Sequence, residues 1–532
     1  ELHAGAWAGM NFRFDTAGNR LAEHHDTVYD FMLGLRGSED NFDWDLSATY
    51  NSYTNFTWGT GYLLDGAQND LIGHWDEDAN TFVGWDPRDP NSEMPKGATA
   101  NYDKRMLAEY KNLTGGVSFD VAELPGGELG VYLGAAYSES LLDSKVDALA
   151  DAGLIKGGSG GSGGVGTRDV TSVFFEMLLP VLDKVEVNLA GRFDQYSDFG
   201  STFNPQVGIK YTPVDALLLR ASYGTAFRAP TLSDLYQGTV ESYDEVTNYI
   251  NCYEAGTDID SCETTELPVT QFGGNPDLGP EESESLSLGL VWSISRNLDF
   301  NLDYWQLDTE GLIQSISASE LLQTQAKLWQ IADQNGTARP DISSVYPGAS
   351  ITLLPNNRVN QIVAPSVNLG ETERAGIDVA INGNFDTEFG NFSFGLNVSK
   401  YLTYKYTYLD NGESLISEDE AGRQDLPDLR VNMSFDYNYG SHGLHYFSSL
   451  IGEQKSWVYV EEGNADSGYF MIDQHVTHNL SYNYDLPWDN QITFGVNNLT
   501  DEAPKFRKDG SYQGDLYDIR GRVLYVAYSH SF

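Results

Sequence analysis

Apolar and polar residues alternate along stretch after stretch of this chain, and that period of two constrains the fold more than any other feature. Val185, Val187, Leu189, Gly191 and Phe193 alternate with Glu186, Asn188, Ala190, Arg192 and Asp194. Tyr29, Phe31, Leu33 and Leu35 alternate with Asp30, Met32, Gly34 and Arg36. The same pattern runs through Leu298–Trp305 and Leu429–Tyr437. Side chains of a strand point to opposite faces in turn, so each such strand keeps one face in an apolar medium and the other in a polar one. Strands are expected near 1–14, 27–36, 43–58, 105–122, 129–140, 168–181, 185–196, 202–212, 216–227, 283–294, 298–309, 372–384, 391–407, 425–438, 442–453, 467–486, 490–500 and 519–532. They number about 18, and at roughly 10 residues or more each is long enough to cross a tilted bilayer.

The connections name the medium. Pro125-Gly126-Gly127, Leu182-Asp183-Lys184, Pro213-Val214-Asp215, Ser295-Arg296-Asn297 and Gly440-Ser441-His442 are tight turns. Between them lie long polar segments at 59–104, 141–167, 228–282 and 310–371. Short turns on one side and long loops on the other mark an all-β, antiparallel transmembrane β-barrel of the outer-membrane type. A soluble sandwich also alternates, but its strands are shorter and its loops are not sorted by side. Tyr137, Tyr196, Tyr223, Tyr304, Tyr437 and Tyr528 sit near strand ends, where interfacial aromatic girdles belong. An even strand count places both termini on the short-turn, periplasmic side and the long loops outside the cell.

Composition closes other routes. Of the 532 residues, 78 are Asp or Glu and 31 are Lys or Arg, a formal net charge of -47, which excludes a nucleic-acid binder. Aromatics make up 13%, too many for a disordered acidic chain. No apolar run approaches the length of a membrane helix. His-Glu-x-x-His and nucleophile-elbow motifs are absent, so catalysis is not expected.

Four stretches resemble TonB-dependent outer-membrane receptors: Leu219–Tyr236 with its Phe227-Arg228-Ala229-Pro230 core, Gly274-Asn275-Pro276-Asp277 running on to Ser285, Arg168–Glu176, and Asn497–Glu502. The last strand, ending at Phe532, resembles the signal read by the bacterial barrel-assembly machinery. The resemblance covers nearly the whole chain. It implies a receptor that captures a scarce nutrient with its loops and imports it with energy from the TonB complex. Such receptors have about 22 strands and a plugged lumen. Alternation here begins at once with Leu2, Ala4, Ala6 and Ala8, so residues 1–532 are expected to be barrel throughout, without a plug and without about four leading strands. A passive, unplugged channel and a structural or surface-interaction barrel are the alternatives. Arg228, Pro230, Asn275 and Pro276 are expected to be structural markers at loop roots.

Candidate sites lie in the loops. Cys252 and Cys262 share loop 228–282 and read as a loop-closing disulfide in an oxidising compartment. Trp75 and Trp85 read either as stacking faces for a sugar or planar ligand or as packing for loop 59–104. Asp76, Asp78 and Asp86 are weak candidates for calcium, without EF-hand spacing, and otherwise form a solvated acidic surface. Ser319–Asp333 reads as an amphipathic helix capped by Ser317 or Ser319 and ended by Asn335-Gly336, carrying Trp329 as a gate or as packing. Trp457, Tyr459 and Glu461 suit a polyol, sugar or cationic ligand. Small-molecule, sugar, peptide and metal-chelate ligands all remain open, with outer-membrane lipid and lipopolysaccharide as surroundings. The tract Gly157–Gly164 lacks a phosphate-binding ending and reads as a flexible loop tip.

Overall fold

The structure, a computed structural model, describes residues 19–531 outside 65–73, 77–78, 87–88, 90, 93–96, 156–162, 411–412, 418, 424–425, 459–467 and 508–511. It is dominated by one antiparallel sheet of 18 strands, of which one, Glu413–Ile416, is a short arm. The long strands follow one another in chain order. They are β1 (Leu21–Ser38), β2 (Asp43–Leu63), β3 (Thr99–Leu124), β4 (Gly127–Val146), β5 (Gly164–Leu182), β6 (Val185–Tyr196), β7 (Gly200–Val214) and β8 (Leu217–Arg228). The meander continues through β9 (Glu281–Ser295), β10 (Leu298–Ser315), β11 (Ser366–Thr387), β12 (Gly390–Asp410), β13 (Leu429–Tyr439) and β14 (His442–Ile451). It closes the series with β15 (His475–Leu486), β16 (Asn490–Asn497) and β17 (Val523–His530). Each pairs with the next through an antiparallel ladder. Among the described residues no ladder joins β1 to β17.

Register explains why this sheet suits a membrane. Leu290, Leu302, Val379, Val398, Val431, Leu450 and Val476 are successive cross-strand partners from β9 to β15, an unbroken apolar row. One residue along, the row reads Gly289, Asp303, Asp378, Ser399 and Arg430. A shift of one residue would exchange the two faces, so the alternating pattern specifies the register. The apolar face lacks protein cover: Leu288 is 46% exposed and Met433 40%. Such exposure across a whole sheet face belongs against lipid. No helix is long and apolar enough to cross a membrane among the described residues.

Several expectations need correction. The long loops are shorter than the polar sequence suggests, because hairpins β2–β3, β4–β5 and β10–β11 continue to pair beyond the apolar band. Hydrophobic alternation ends where lipid ends, whereas backbone pairing does not. The connections therefore span 64–98, 147–163, 229–280 and 316–365. The strand expected over 467–486 is two elements: Gly468–Ile472 pairs with Gln454–Val458, and β15 starts at His475. The final strands are shorter than expected, at Asn490–Asn497 and Val523–His530. The expected strand at 1–14 and most of the Gly/Ser tract lie outside the described residues. The turn at Gly440, with φ 57°, needs a residue without Cβ strain between β13 and β14.

Candidate ligand-binding surface

The principal hydrophobic core is not in the barrel wall. Residues 229–280 and 316–365, the two loops flanking hairpin β9–β10, fold together around Ile250, Leu321, Leu322, Ile342, Tyr346 and Ile362, all fully buried. A small sheet joins them: Val269–Phe272 of the first loop runs parallel to Val359–Val363 of the second. We refer to this unit as the cap.

Helix α1 (Tyr249–Glu254) belongs to the first loop and α2 (Ala318–Asn335) to the second. The Ser317 hydroxyl accepts a hydrogen bond from the Glu320 N–H at 3.2 Å and starts α2. Gly336 ends it in the left-handed conformation with φ 64°. Leu321, Leu322 and Ala326 form its buried face. Cys252 and Cys262 are disulfide-bonded, clamping α1 to the segment that follows it.

Charge ties the cap internally. Arg339 donates to Asp333 at 2.7 Å and to Glu254 at 2.5 Å, and its guanidinium carbon lies 4.8 Å from the centre of the Trp329 ring. Tyr253 donates its hydroxyl to Asp333 at 2.7 Å. The hydrogen bonds from Arg339 first, and from Tyr253 second, bring the Asp333 carboxyl down from 3.8 to about 2.

At the roots, Arg228 forks onto Glu281 with hydrogen bonds of 2.6 and 2.5 Å. Glu281 also accepts the Ile313 N–H at 2.9 Å. Asn275 donates to the Ser366 carbonyl at 2.9 Å. Asn368 accepts the Gly279 N–H at 2.8 Å and donates to the Gly279 and Gly311 carbonyls at 3.0 and 2.7 Å. The motif residue Arg228 therefore closes the first loop at its root, and Asn275 fastens the cap to the wall.

The remaining candidates are dispersed over three loops. Trp329 is half-buried and donates to the Pro340 carbonyl at 3.2 Å. Trp85 is 3% exposed, buried in its loop. Trp75 lies in the strand His74–Asp76, paired with Thr81–Val83. Trp457 lies in Gln454–Val458, opposite Tyr469. Asp76 accepts the Ala79 N–H at 3.0 Å and the Asp86 carbonyl accepts the Asp89 N–H at 3.1 Å, both turn contacts. Tyr459, Glu461 and Asp78 lie outside the described residues. Among the described residues, no group of three His, Cys, Asp or Glu side chains is placed to hold a metal ion.

Sequence reasoning missed a group on the polar, lumen-facing side of the wall. Three successive cross-strand rows of β10, β11 and β12 read Trp305–Gly376–Tyr401, Leu307–Arg374–Tyr404 and Thr309–Thr372–Tyr406. Trp305 meets Tyr401 edge-on at 5.5 Å, and Tyr401 meets Tyr404 at 6.2 Å. The Arg374 guanidinium stacks 5.1 Å from the Tyr404 ring centre. Gly376 leaves room for the indole, since a Cβ there would stand 2.5 Å from a Trp305 ring carbon. Parity offered Trp305 and Tyr401, which occupy strand positions opposite to the lipid-facing ones, whereas Tyr404 shares the parity of Val398 and reaches the lumen side only through the register shift between Ala375 and Gly376.

With this geometry in place, comparison decides the family. The family model for the TonB dependent receptor-like beta-barrel matches residues 4–499. The chain belongs to the TonB-dependent receptor β-barrel family. It is an integral β-barrel of the outer membrane. A curated relative, "Probable TonB-dependent siderophore receptor PirA" of Acinetobacter baumannii, is 22% identical over 374 residues, 68% of this chain and 43% of that protein. The crystal structure of the siderophore receptor PirA from Acinetobacter baumannii superposes with a TM-score of 0.60 at 16% identity, covering 96% of this chain and 63% of that one. A ferric enterobactin receptor, PfeA of Pseudomonas aeruginosa, gives 0.60 at 17% identity over 96% and 62%. The outer membrane transporter YddB from Escherichia coli gives 0.58 at 10% identity, over 96% and 63%. These likenesses establish the TonB-dependent receptor fold. The chain spans less than half the length of the curated relative and less than two thirds of each of these solved chains.

Proposed function

We propose that this TonB-dependent receptor barrel captures a small metal chelate with its extracellular loops and admits it through the lumen, in import energised by the TonB complex. The carrying observation is the cap. Two loops from opposite sides of one hairpin share a hydrophobic core and an Arg339 hub, and a disulfide braces the first of them. A passive pore needs no such ordered structure at its mouth, whereas a binding site needs groups held in fixed positions. The naming of similar proteins as siderophore and ferric enterobactin receptors supports the metal-chelate class over sugars and peptides. The cap faces outward and the short turns face the periplasm in this reading.

Uptake of iron-loaded chelates by cells carrying or lacking the gene tests it. The reading expects uptake that requires the gene and stops when the proton gradient is collapsed. Gene-dependent uptake that persists without the gradient would instead indicate a passive channel. A deletion strain unchanged on every chelate would indicate a structural barrel.

A further inference from the structure

Charge is distributed unevenly over the outer connections. Residues 229–280, the first half of the cap, hold ten Asp or Glu and no Lys or Arg, and residues 316–365 hold three of each. Those three cations are engaged: Arg339 by Asp333 and Glu254, Arg358 by Glu266 at 3.6 Å, and Lys327 as well. Asp244, Glu245, Asp258, Glu263 and Asp277 are exposed, and the cap has no further Lys or Arg to offset them. Connections 64–98, 411–428 and 452–474 repeat the bias, with 19 acidic and 4 basic residues together, while 498–522 is balanced at five each. On the wall Arg168, Arg192, Arg220 and Arg228 each hold a carboxylate, and Arg374 stacks on Tyr404 with its Nε buried.

A second observation is how this protein holds a cation. Its own arginines are gripped by a carboxylate and an aromatic face together: Arg339 by Asp333 with the Trp329 ring at 4.8 Å, Arg168 by Asp198 with Tyr196 at 5.5 Å, and Arg192 by Asp194 with Phe174 at 5.2 Å. The cap presents the same two kinds of group to solvent at Tyr243, 55% exposed and followed directly by the exposed Asp244 and Glu245. We propose that the extracellular mouth selects its cargo by charge, so that the chelate captured carries net positive charge and anionic chelates are repelled. This rests on the metal-chelate reading above and adds the sign of the cargo. A mouth of one sign raises the local concentration of the opposite ion and speeds its capture. Ammonium groups on the chelate meet exposed carboxylates and ring faces, as Arg339 does within the cap.

Tyr243→Cys places a reactive thiol in a chain whose two native cysteines are bonded to each other. In protein purified from outer membranes in detergent, it is reacted with methanethiosulfonates bearing a trimethylammonium or a sulfonate group. Each rate is divided by that of free β-mercaptoethanol, and folding is verified by heat-modifiable migration. In low salt the cationic reagent is expected to gain at least about tenfold over the anionic one, and the ratio to fall severalfold in about 0.5 M salt. Asp244→Asn with Glu245→Gln should lower the low-salt ratio. A ratio near one, or one favouring the anion, would overturn the proposal. Cells carrying or lacking the gene are then given a ferric trihydroxamate ending in an ammonium group, or the same chelate capped by acetyl, which is neutral, or by succinyl, which is anionic. Gene-dependent uptake is expected to decrease in that order, and equal or reversed uptake would overturn the proposal. Labelling needs no energised import, so a cation-favouring ratio without uptake of any of the three would count against the transport reading and support the sign of the mouth.

Discussion

Arg228 and Glu281 close the first loop at its two ends, and neither residue's role follows from hydrophobic pattern. Glu281 is 6% exposed and satisfies both the Arg228 guanidinium and the Ile313 N–H. Glu281→Gln would leave the fork on Arg228 without its charge and is expected to destabilise the root by about 1–3 kcal/mol, read from urea unfolding in detergent. Asp333 gives a test of sign. Its folded pKa of about 2 lies below the ordinary 3.8, so its contribution is present above pH 4 and lost as pH falls toward 2. Wild-type protein and Asp333→Asn should therefore differ in cap stability at pH 6, by tryptophan fluorescence during denaturation, and converge near pH 2. A third residue-scale consequence concerns Gly289. Arg220 reaches across it to grip Asp303 with hydrogen bonds of 2.7 and 2.8 Å, and a Cβ at Gly289 would stand 2.5 Å from the Arg220 Nε. Gly289→Ala should displace that pair and lower barrel stability by about 1 kcal/mol, as Asp303→Asn should, with little further loss in the double variant. At this scale the sequence was informative where a motif marked a position, as at Arg228 and Asn275. It was silent on Arg339, whose partner Glu254 is 85 residues away and becomes a neighbour only after two loops have folded together.

Elements were more legible where their signals are local. The α2 helix was readable from Ser317, the spacing of Leu321, Leu322 and Ala326, and Gly336, because caps and periodicity lie within the element. The strands of the wall were readable for the same reason, and their ends were not, because a hairpin can extend past the last lipid-facing residue at no cost in pattern. The Cys252–Cys262 bond was readable from compartment and spacing and stands in the structure. It closes a short loop, with a sequence separation of 10, and in the chain-entropy account contributes about 2–3 kcal/mol to the cap. Replacing both cysteines by serine should make the cap sensitive to limited proteolysis. The barrel should keep its heat-modifiable migration, since the bond lies wholly within one loop. Simultaneous loss of barrel migration would show that cap and wall fold as one cooperative unit.

At the scale of the molecule, alternation specifies a wall with one face for lipid and one for water, and the register of β9 to β15 realises it. The cap was not legible as a unit. Its first loop had shown only a disulfide and its second only a helix, and the parallel pairing of Val269–Phe272 with Val359–Val363 joins segments whose apolar residues have no period in common. The lumen-facing aromatic group was hidden for a related reason: its members come from three strands and share only a face. The central claim is that this sheet spans the outer membrane with the cap outside the cell and the short turns inside. Single cysteines at Gln334 on α2 and at Glu388 in the β11–β12 turn, both exposed, test it directly with a membrane-impermeant maleimide. The account predicts that Gln334→Cys is labelled on intact cells and Glu388→Cys only after the outer membrane is permeabilised. Labelling of Glu388→Cys on intact cells, or protection of Gln334→Cys, would contradict it.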